Sequence, residues 1–179
     1  MRAVIIEKAS QSPFLKAEII ESEKLVFCSE FREYCRENRC GKYGVNYSCP
    51  PDCGTFEEMK ERALKYKNTL VLQSSWKIED FTATDKIDKA KKEHNGATLR
   101  LVKELREMGF SGIMAGASNC NLCPVCEREK SASCKFPELS FSCLSAYCIN
   151  VAALAGECGM DYQYKDGMLS FFSAYFFNL

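Results

Sequence analysis

The chain has 179 residues, 12 of them cysteine, and its 24 lysine and arginine residues balance 24 aspartate and glutamate residues. A chain of this length buries about 70% of its unfolded surface, so disulfide bonds are not needed to hold it together. The balanced charge, without blocks of like sign, predicts no binding to nucleic acid or to a membrane surface. The N-terminal apolar run AVII is too short for an export signal, so we expect free thiols in a reducing cytoplasm.

Helix and strand patterns alternate along the chain. The strand candidates are AVII, KAEII, TLVLQSSW, FSGIMAG and LSFFSAYFF. The predicted helices run from a capping box at Thr55 to Lys67, from Asp85 to Met108, and from a cap at Ser142 to Cys158. This alternation predicts an α/β fold, with one compact domain over residues 1–179 and a mixed, mainly parallel sheet flanked by helices. The single histidine, His94, lies on the apolar stripe of the second helix, and we interpret it as structural.

Most of the cysteines fall into two loops, at about residues 28–53 and 120–134. In the second loop two residues separate Cys120 from Cys123 and Cys123 from Cys126, a spacing that lets the sulfurs converge on one centre. Bacterial ferredoxins hold three corners of a [4Fe–4S] cluster with the same triplet. The longer gap before Cys134 lets this residue return to the same cluster. The loop therefore predicts one [4Fe–4S] cluster bound by Cys120, Cys123, Cys126 and Cys134.

Zinc is the alternative metal for this loop. Four thiolates also form a closed tetrahedral zinc site, although zinc folds use two separated pairs of cysteines more often than a triplet. Unliganded core thiols or disulfide-bonded thiols are a third interpretation.

The first loop indicates a second metal site less directly, because its spacing is irregular. Its cysteines are Cys28, Cys35, Cys40, Cys49 and Cys53. Gly41 and Gly44 allow tight turns next to Cys40, and Pro50 and Pro51 restrict the backbone after Cys49. The alternative is a set of buried free thiols.

Several segments together resemble a prokaryotic family of predicted metal-binding proteins that is catalogued as a domain of unknown function. They are CRENRCGKYGVNYSCPP, GASNCNLCPVCE, CKFPE and SAYCINV. The resemblance extends from about Ile19 to the last strand and is most specific between Tyr43 and Pro51 and in the cysteine triplet. It implies metal binding of the iron–sulfur type, with no established reaction.

The resemblance also implies which thiols bind. Its ligand positions fall on Cys35, Cys40 and Cys49 in the first loop and on the four cysteines named above in the second. Cys28, Cys53, Cys143 and Cys148 are additions of this chain. Relatives carry a glutamate near Ser145 and a glycine near Cys148, so Cys148 becomes a candidate extra ligand, as do Cys28 and Cys53.

We expect a redox protein that passes single electrons to a partner protein or small molecule. If only Cys35, Cys40 and Cys49 bind the second cluster, one iron stays open, which favours an enzyme that uses it as a Lewis acid or sulfur acceptor. If Cys28 or Cys53 adds a fourth thiolate, both clusters are closed and electron transfer is favoured. A zinc-stabilised interaction protein is the remaining hypothesis.

Overall fold

The computed structural model describes residues 1–80, 82–162 and 164–179. Its helices are α1 (Arg2–Ser10), α2 (Phe31–Arg36), α3 (Phe56–Leu64), α4 (Thr84–Glu107) and α5 (Val151–Glu157). Its strands are β1 (Lys16–Glu21), β2 (Asn68–Lys77), β3 (Gly112–Gly116), β4 (Ser142–Cys143) and β5 (Met168–Phe177). Short 3₁₀ turns lie at Ser22–Lys24 and Glu127–Lys130. Within these described ranges, no helix combines the length and the apolar character needed to cross a bilayer.

The five strands form one mixed sheet in the order β1-β2-β5-β3-β4. β2 and β5 are antiparallel over their whole length, from Asn68 opposite Phe177 to Lys77 opposite Met168. β1 is antiparallel to β2, and β3 is antiparallel to β5, whereas β3 and β4 are parallel. The α/β fold with a mixed sheet is thus confirmed.

The expectation of a mainly parallel sheet is wrong. β2 and β3, which α4 connects, do run in the same direction, but β5 lies between them and opposes both. Alternation of helices and strands predicts the direction of successive strands, but it does not predict which strand inserts between them. The antiparallel pairings follow from that insertion and from the pairing of β1 with β2.

Helices cover both faces of the sheet. α1 and α4 pack against the face that carries Leu70 and Tyr175. α3 and α5 pack against the opposite face, which carries Val71 and Phe176. Both faces of the central strands are therefore apolar, as LSFFSAYFF predicts for a strand that is covered on two sides.

The N-terminal AVII run belongs to α1 and not to a strand. A short apolar run lacks the periodicity that separates a buried strand from a buried helix segment. In the structure the buried positions of this segment are Ile5 and Ala9, which are four residues apart and share one side of the helix.

The helices predicted at Thr55 and Asp85 are confirmed as α3 and α4. Thr55 Oγ1 accepts a hydrogen bond of 3.2 Å from the Glu58 N–H, and the Glu58 carboxylate accepts one of 2.7 Å from the Thr55 N–H. This reciprocal pair is the predicted capping box.

The last helix starts later than predicted. Ser142 does not cap it, because Ser142 and Cys143 form a short edge strand beside β3. The helix begins at Val151, where the side chain of Asn150 accepts a hydrogen bond of 3.0 Å from the Ala153 N–H. Asparagine and serine are both favoured N-cap residues, so the sequence pattern did not distinguish the two starts.

Candidate metal centres

The cysteines predicted to form the first centre line one small cavity. They are Cys120, Cys123, Cys126 and Cys134. All four are partly buried, and Tyr47 and Ser48 of the first cysteine loop lie in the same wall.

Contacts with α4 and β3 fix the start of this loop. The buried Asn95 of α4 accepts a hydrogen bond of 2.9 Å from the Ala117 N–H and donates one of 3.0 Å to Ser118 Oγ. A Cβ atom at Gly116 would lie 2.6 Å from the Phe141 ring, so only glycine fits at this end of the strand. The chain therefore enters the loop in one defined direction.

The sulfur of Cys120 receives backbone hydrogen bonds. Burial raises the pKa of the Cys120 thiol, and the N–H groups of Leu122 and Phe141 donate to its sulfur and oppose that rise. Such bonds favour the thiolate, which is the form that binds metal.

Cys35, Cys40 and Cys49 share the wall of a second and wider cavity of about 970 Å³. Cys35 lies in α2, and Cys40 is followed by Gly41 and Gly44, whose φ angles of 67° and 70° provide the predicted tight turns. Cys49 is buried, and it precedes a cis Pro50-Pro51 peptide bond. Burial raises the pKa of Cys49 to about 12, so a metal that bound here would have to displace the proton of this thiol.

Cys143 lies in the wall of the same cavity as these three cysteines, and the sequence did not assign it to the site. Its sulfur accepts a hydrogen bond of 3.4 Å from the Ala146 N–H. Burial raises its pKa to about 11, and the nearby thiols of Cys35 and Cys53 add to that rise. β4 pairs with β3, and the segment after β4 joins the first loop through a bridge between Phe27 and Ile149. Cysteine spacing cannot reveal these long-range contacts. The available signal was the pair of thiols in SCLSAYC, after both loops.

The other three candidate ligands, Cys28, Cys53 and Cys148, are not among the described residues that line this cavity. Cys53 and Cys148 are buried, and the Cys28 N–H donates a hydrogen bond of 2.8 Å to the Cys148 carbonyl. The φ angle of Cys148 is 57°, in the left-handed region that favours glycine. Glycine is the residue that the family resemblance implies near this position.

A buried arginine lies beside the thiols. Arg32 is 8% exposed, and its Nη1 lies 3.7 Å from Cys53 Sγ. Its charge opposes the rise that burial causes in the pKa values of Cys35, Cys53 and Cys148. Within the described part of the chain, Arg32 Nη2 has no hydrogen-bond partner and the guanidinium forms no ion pair. A buried cation without an anion is unfavourable, and a metal–thiolate centre would supply the missing negative charge.

Four polar contacts join the two cysteine loops. They are Asn46 Nδ2 to the Cys120 carbonyl (3.2 Å), the Cys120 N–H to Ser48 Oγ (2.9 Å), the Tyr47 hydroxyl to the Ala132 carbonyl (3.0 Å) and Arg128 Nε to Asp52 Oδ1 (2.8 Å). Ser48 Oγ also lies 3.8 Å from Cys49 Sγ. The two thiol sets, which are far apart in sequence, therefore adjoin each other through Ser48.

The thiols of each set share a cavity wall and do not form a closely packed ligand shell. Among residues 1–80, 82–162 and 164–179, no three His, Cys, Asp or Glu side chains are grouped to hold a metal ion. A tetrahedral zinc site would bring its sulfurs to within about 3.8 Å of one another, since Zn–S bonds are about 2.3 Å long.

Comparison with protein families identifies a match that covers most of the chain. The family model described as predicted metal-binding protein, DUF2284, matches residues 18–177. No curated protein and no solved structure matches the chain.

Proposed function

Because the chain belongs to this family of predicted metal-binding proteins, we propose that it is a cytoplasmic iron–sulfur protein that transfers single electrons. One [4Fe–4S] cluster would be held by Cys120, Cys123, Cys126 and Cys134. A second would be held by Cys35, Cys40 and Cys49, with Cys143 as the fourth thiolate. The cytoplasm suits the protein because its thiols need a reducing environment to stay unpaired.

The observation that carries this proposal is the adjacency of the two thiol sets. Ser48 is hydrogen-bonded to the backbone of Cys120 and lies next to the sulfur of Cys49. Two redox centres held by neighbouring cysteine loops can exchange electrons inside the protein, whereas a structural metal needs no such neighbour. The adjacency therefore favours electron transfer over a purely structural role.

The donor sets also suit iron–sulfur clusters. Each cavity offers four thiols, and cysteine thiolates are the ligands that hold such clusters. When bound, the clusters supply reversible one-electron chemistry. The chain surrounds the sulfurs with N–H donors at Cys120 and Cys143 and with the buried cation Arg32, all of which stabilise negative charge.

The wide cavity favours a second candidate, an enzyme in which the centre at Cys35, Cys40 and Cys49 has an open iron. The cavity extends from the thiols to α4, which contributes Asp88, Lys91 and Lys92 to its wall. A centre that only relays electrons does not need a cavity of this size. In the enzyme hypothesis Cys143 is a neighbour of the centre and not a ligand, and the open iron is a Lewis acid or sulfur acceptor.

The experiment is the iron, zinc and acid-labile sulfide content per chain, measured on protein purified without oxygen. Two [4Fe–4S] clusters correspond to about eight irons and about eight sulfides per chain. About four of each would reduce the proposal to one cluster, and removal of the triplet cysteines would then identify its site. One or two zinc ions without sulfide would overturn the redox proposal in favour of a zinc-stabilised interaction protein.

A further inference from the structure

We propose that the cavity beside Cys35, Cys40, Cys49 and Cys143 binds a small organic anion with a planar apolar body and a carboxylate group. One part of the cavity wall is independent of the thiols, because Asp88, Lys91 and Lys92 lie on α4, which carries no cysteine. A volume of about 970 Å³ lies within the range of small-molecule sites. The role of the anion as a redox partner or substrate rests on the proposed function, whereas its binding rests on the cavity alone.

The charges around the cavity favour an anion. Its basic residues are Arg39, Lys42, Lys91 and Lys92, and its only acidic residue within the described part of the chain is Asp88. Asp88 forms an ion pair of 3.7 Å with Lys91, and Arg39 pairs with Glu37 outside the wall. Lys42 and Lys92 have no ion-pair partner among the described residues. The chain as a whole has no net charge, so this excess of positive charge is local to the cavity.

The rest of the wall favours an organic anion over an inorganic one. Aromatic rings of Phe31, Tyr34, Tyr43 and Tyr162 line the cavity. Tyr34 and Tyr162 are 67% and 52% exposed, which is high for large aromatic side chains. Their rings are therefore available to a ligand in the cavity. Aromatic side chains next to basic residues offer both a flat apolar contact and a partner for a carboxylate.

A second explanation for the lysines is that they balance the negative charge of a metal–thiolate centre. Arg32 already lies beside the thiols, whereas Lys91 and Lys92 belong to the wall that carries no thiol. Charge balance therefore predicts that substitution of the two lysines changes the reduction potential without changing the affinity for an organic anion.

The test uses the protein purified without oxygen, with benzoate as the probe and benzamide as its uncharged analogue of the same shape. Saturation-transfer NMR measures binding of both. We expect benzoate to bind about tenfold more tightly than benzamide, which corresponds to about 1.4 kcal/mol. In the double variant Lys91→Gln/Lys92→Gln the affinity for benzoate should fall about tenfold, and the affinity for benzamide should stay the same. Lys86→Gln/Lys89→Gln is the matched control, since both lysines lie on α4 and neither lines the cavity.

Failure of this inference and failure of the proposed function give different results. Equal affinities for benzoate and benzamide would overturn the anion site. An equal loss of benzoate affinity in the two double variants would overturn it as well. Tight benzoate binding without paramagnetic broadening of its signals in the reduced protein would retain the anion site and count against iron at the neighbouring thiols. Broadening that disappears in Lys91→Gln/Lys92→Gln would place the bound anion beside the iron, as we expect.

Discussion

The hydroxyl oxygen of Ser48 accepts a hydrogen bond of 2.9 Å from the backbone N–H of Cys120, and this bond connects the two cysteine loops. Ser48 is buried, and its own hydroxyl donates to Asn46 Oδ1 at 2.8 Å. The same oxygen lies 3.8 Å from Cys49 Sγ. One side chain thus supports a predicted ligand of each centre, and loss of its oxygen affects both.

Substitution Ser48→Ala should destabilise the protein. It leaves the N–H of Cys120 without its partner in a partly buried position, which costs about 1–3 kcal/mol. In a chain of this size that cost lowers the melting temperature by about 2–12 °C. Ser140→Ala is the control, since Ser140 is exposed and donates only to the Pro137 carbonyl at 2.9 Å. Equal melting temperatures for the two variants would contradict a linking role for Ser48.

Substitution Cys143→Ala should remove iron from the protein, because Cys143 lies in the cavity wall with Cys35, Cys40 and Cys49. We expect about half of the iron to be lost, with the centre at Cys120 intact. The control is Cys148→Gly, which removes the thiol of the next cysteine in the sequence. Glycine suits the left-handed backbone at position 148. Full iron in Cys143→Ala together with half the iron in Cys148→Gly would identify Cys148 as the ligand instead.

Substitution Arg32→Met should weaken the metal-bound protein. The guanidinium is buried next to Cys53, and charge-assisted hydrogen bonds of this kind contribute about 1.5–3 kcal/mol. A chelator should therefore remove iron faster from the variant than from the wild type, and the variant should melt at a lower temperature. Arg36→Met is the control on the same helix, where Arg36 is exposed and pairs with Glu33. A variant that keeps its iron and melts at a higher temperature would show that Arg32 is an uncompensated charge.

His94 should make stability fall at mildly acidic pH. Burial lowers its pKa to about 3, from the usual 6.5 that it has in the unfolded chain. Between these values the unfolded state binds a proton that the folded state does not. The stability that His94 contributes is therefore fully present above pH 6.5 and is lost as the pH falls. From pH 7 to 5.5 the free energy of unfolding should drop by about 1.3 kcal/mol more in the wild type than in His94→Gln.

Denaturant titrations at the two pH values measure that difference. The structure agrees with a structural role for His94, which is 1% exposed, lies 2.7 Å from Ser74 Oγ through Nδ1 and packs edge-on against Phe14. An identical pH dependence in the wild type and in His94→Gln would show that the imidazole is also protonated in the folded protein.

Local patterns predicted much of the scaffold. The capping box at Thr55 and the long periodic stripe from Asp85 gave α3 and α4, and the doubly apolar final run gave β5. The strand prediction for AVII was wrong because four consecutive apolar residues carry no periodicity. The prediction that Ser142 caps the last helix was wrong, because Asn150 is an equally favoured N-cap residue and is the one that caps the helix.

For the candidate centres, too, the sequence predicted the local features and missed those that depend on long-range contacts. The triplet Cys120, Cys123 and Cys126 is local in sequence, and its spacing predicted sulfurs that converge on one centre. The structure places these three residues and Cys134 along the wall of one cavity, and their binding of a cluster stays a prediction. Cys143 could not be placed in this way, because long-range contacts hold its segment in place: β4 pairs with β3, and Ile149 forms a bridge with Phe27 beside the first loop. The contact between the loops through Ser48 depends on the whole fold and has no signal in the sequence.

The most direct test of the account is the paramagnetic resonance spectrum of the reduced protein, compared with that of Cys49→Ser. Adjacent clusters should interact magnetically, so we predict a split or broadened spectrum in the wild type. In Cys49→Ser the spectrum should simplify to that of one isolated cluster, with about half the spins. Two independent signals that simply add, or a wild-type spectrum unchanged by the substitution, would contradict the claim that two neighbouring thiol sets hold coupled redox centres.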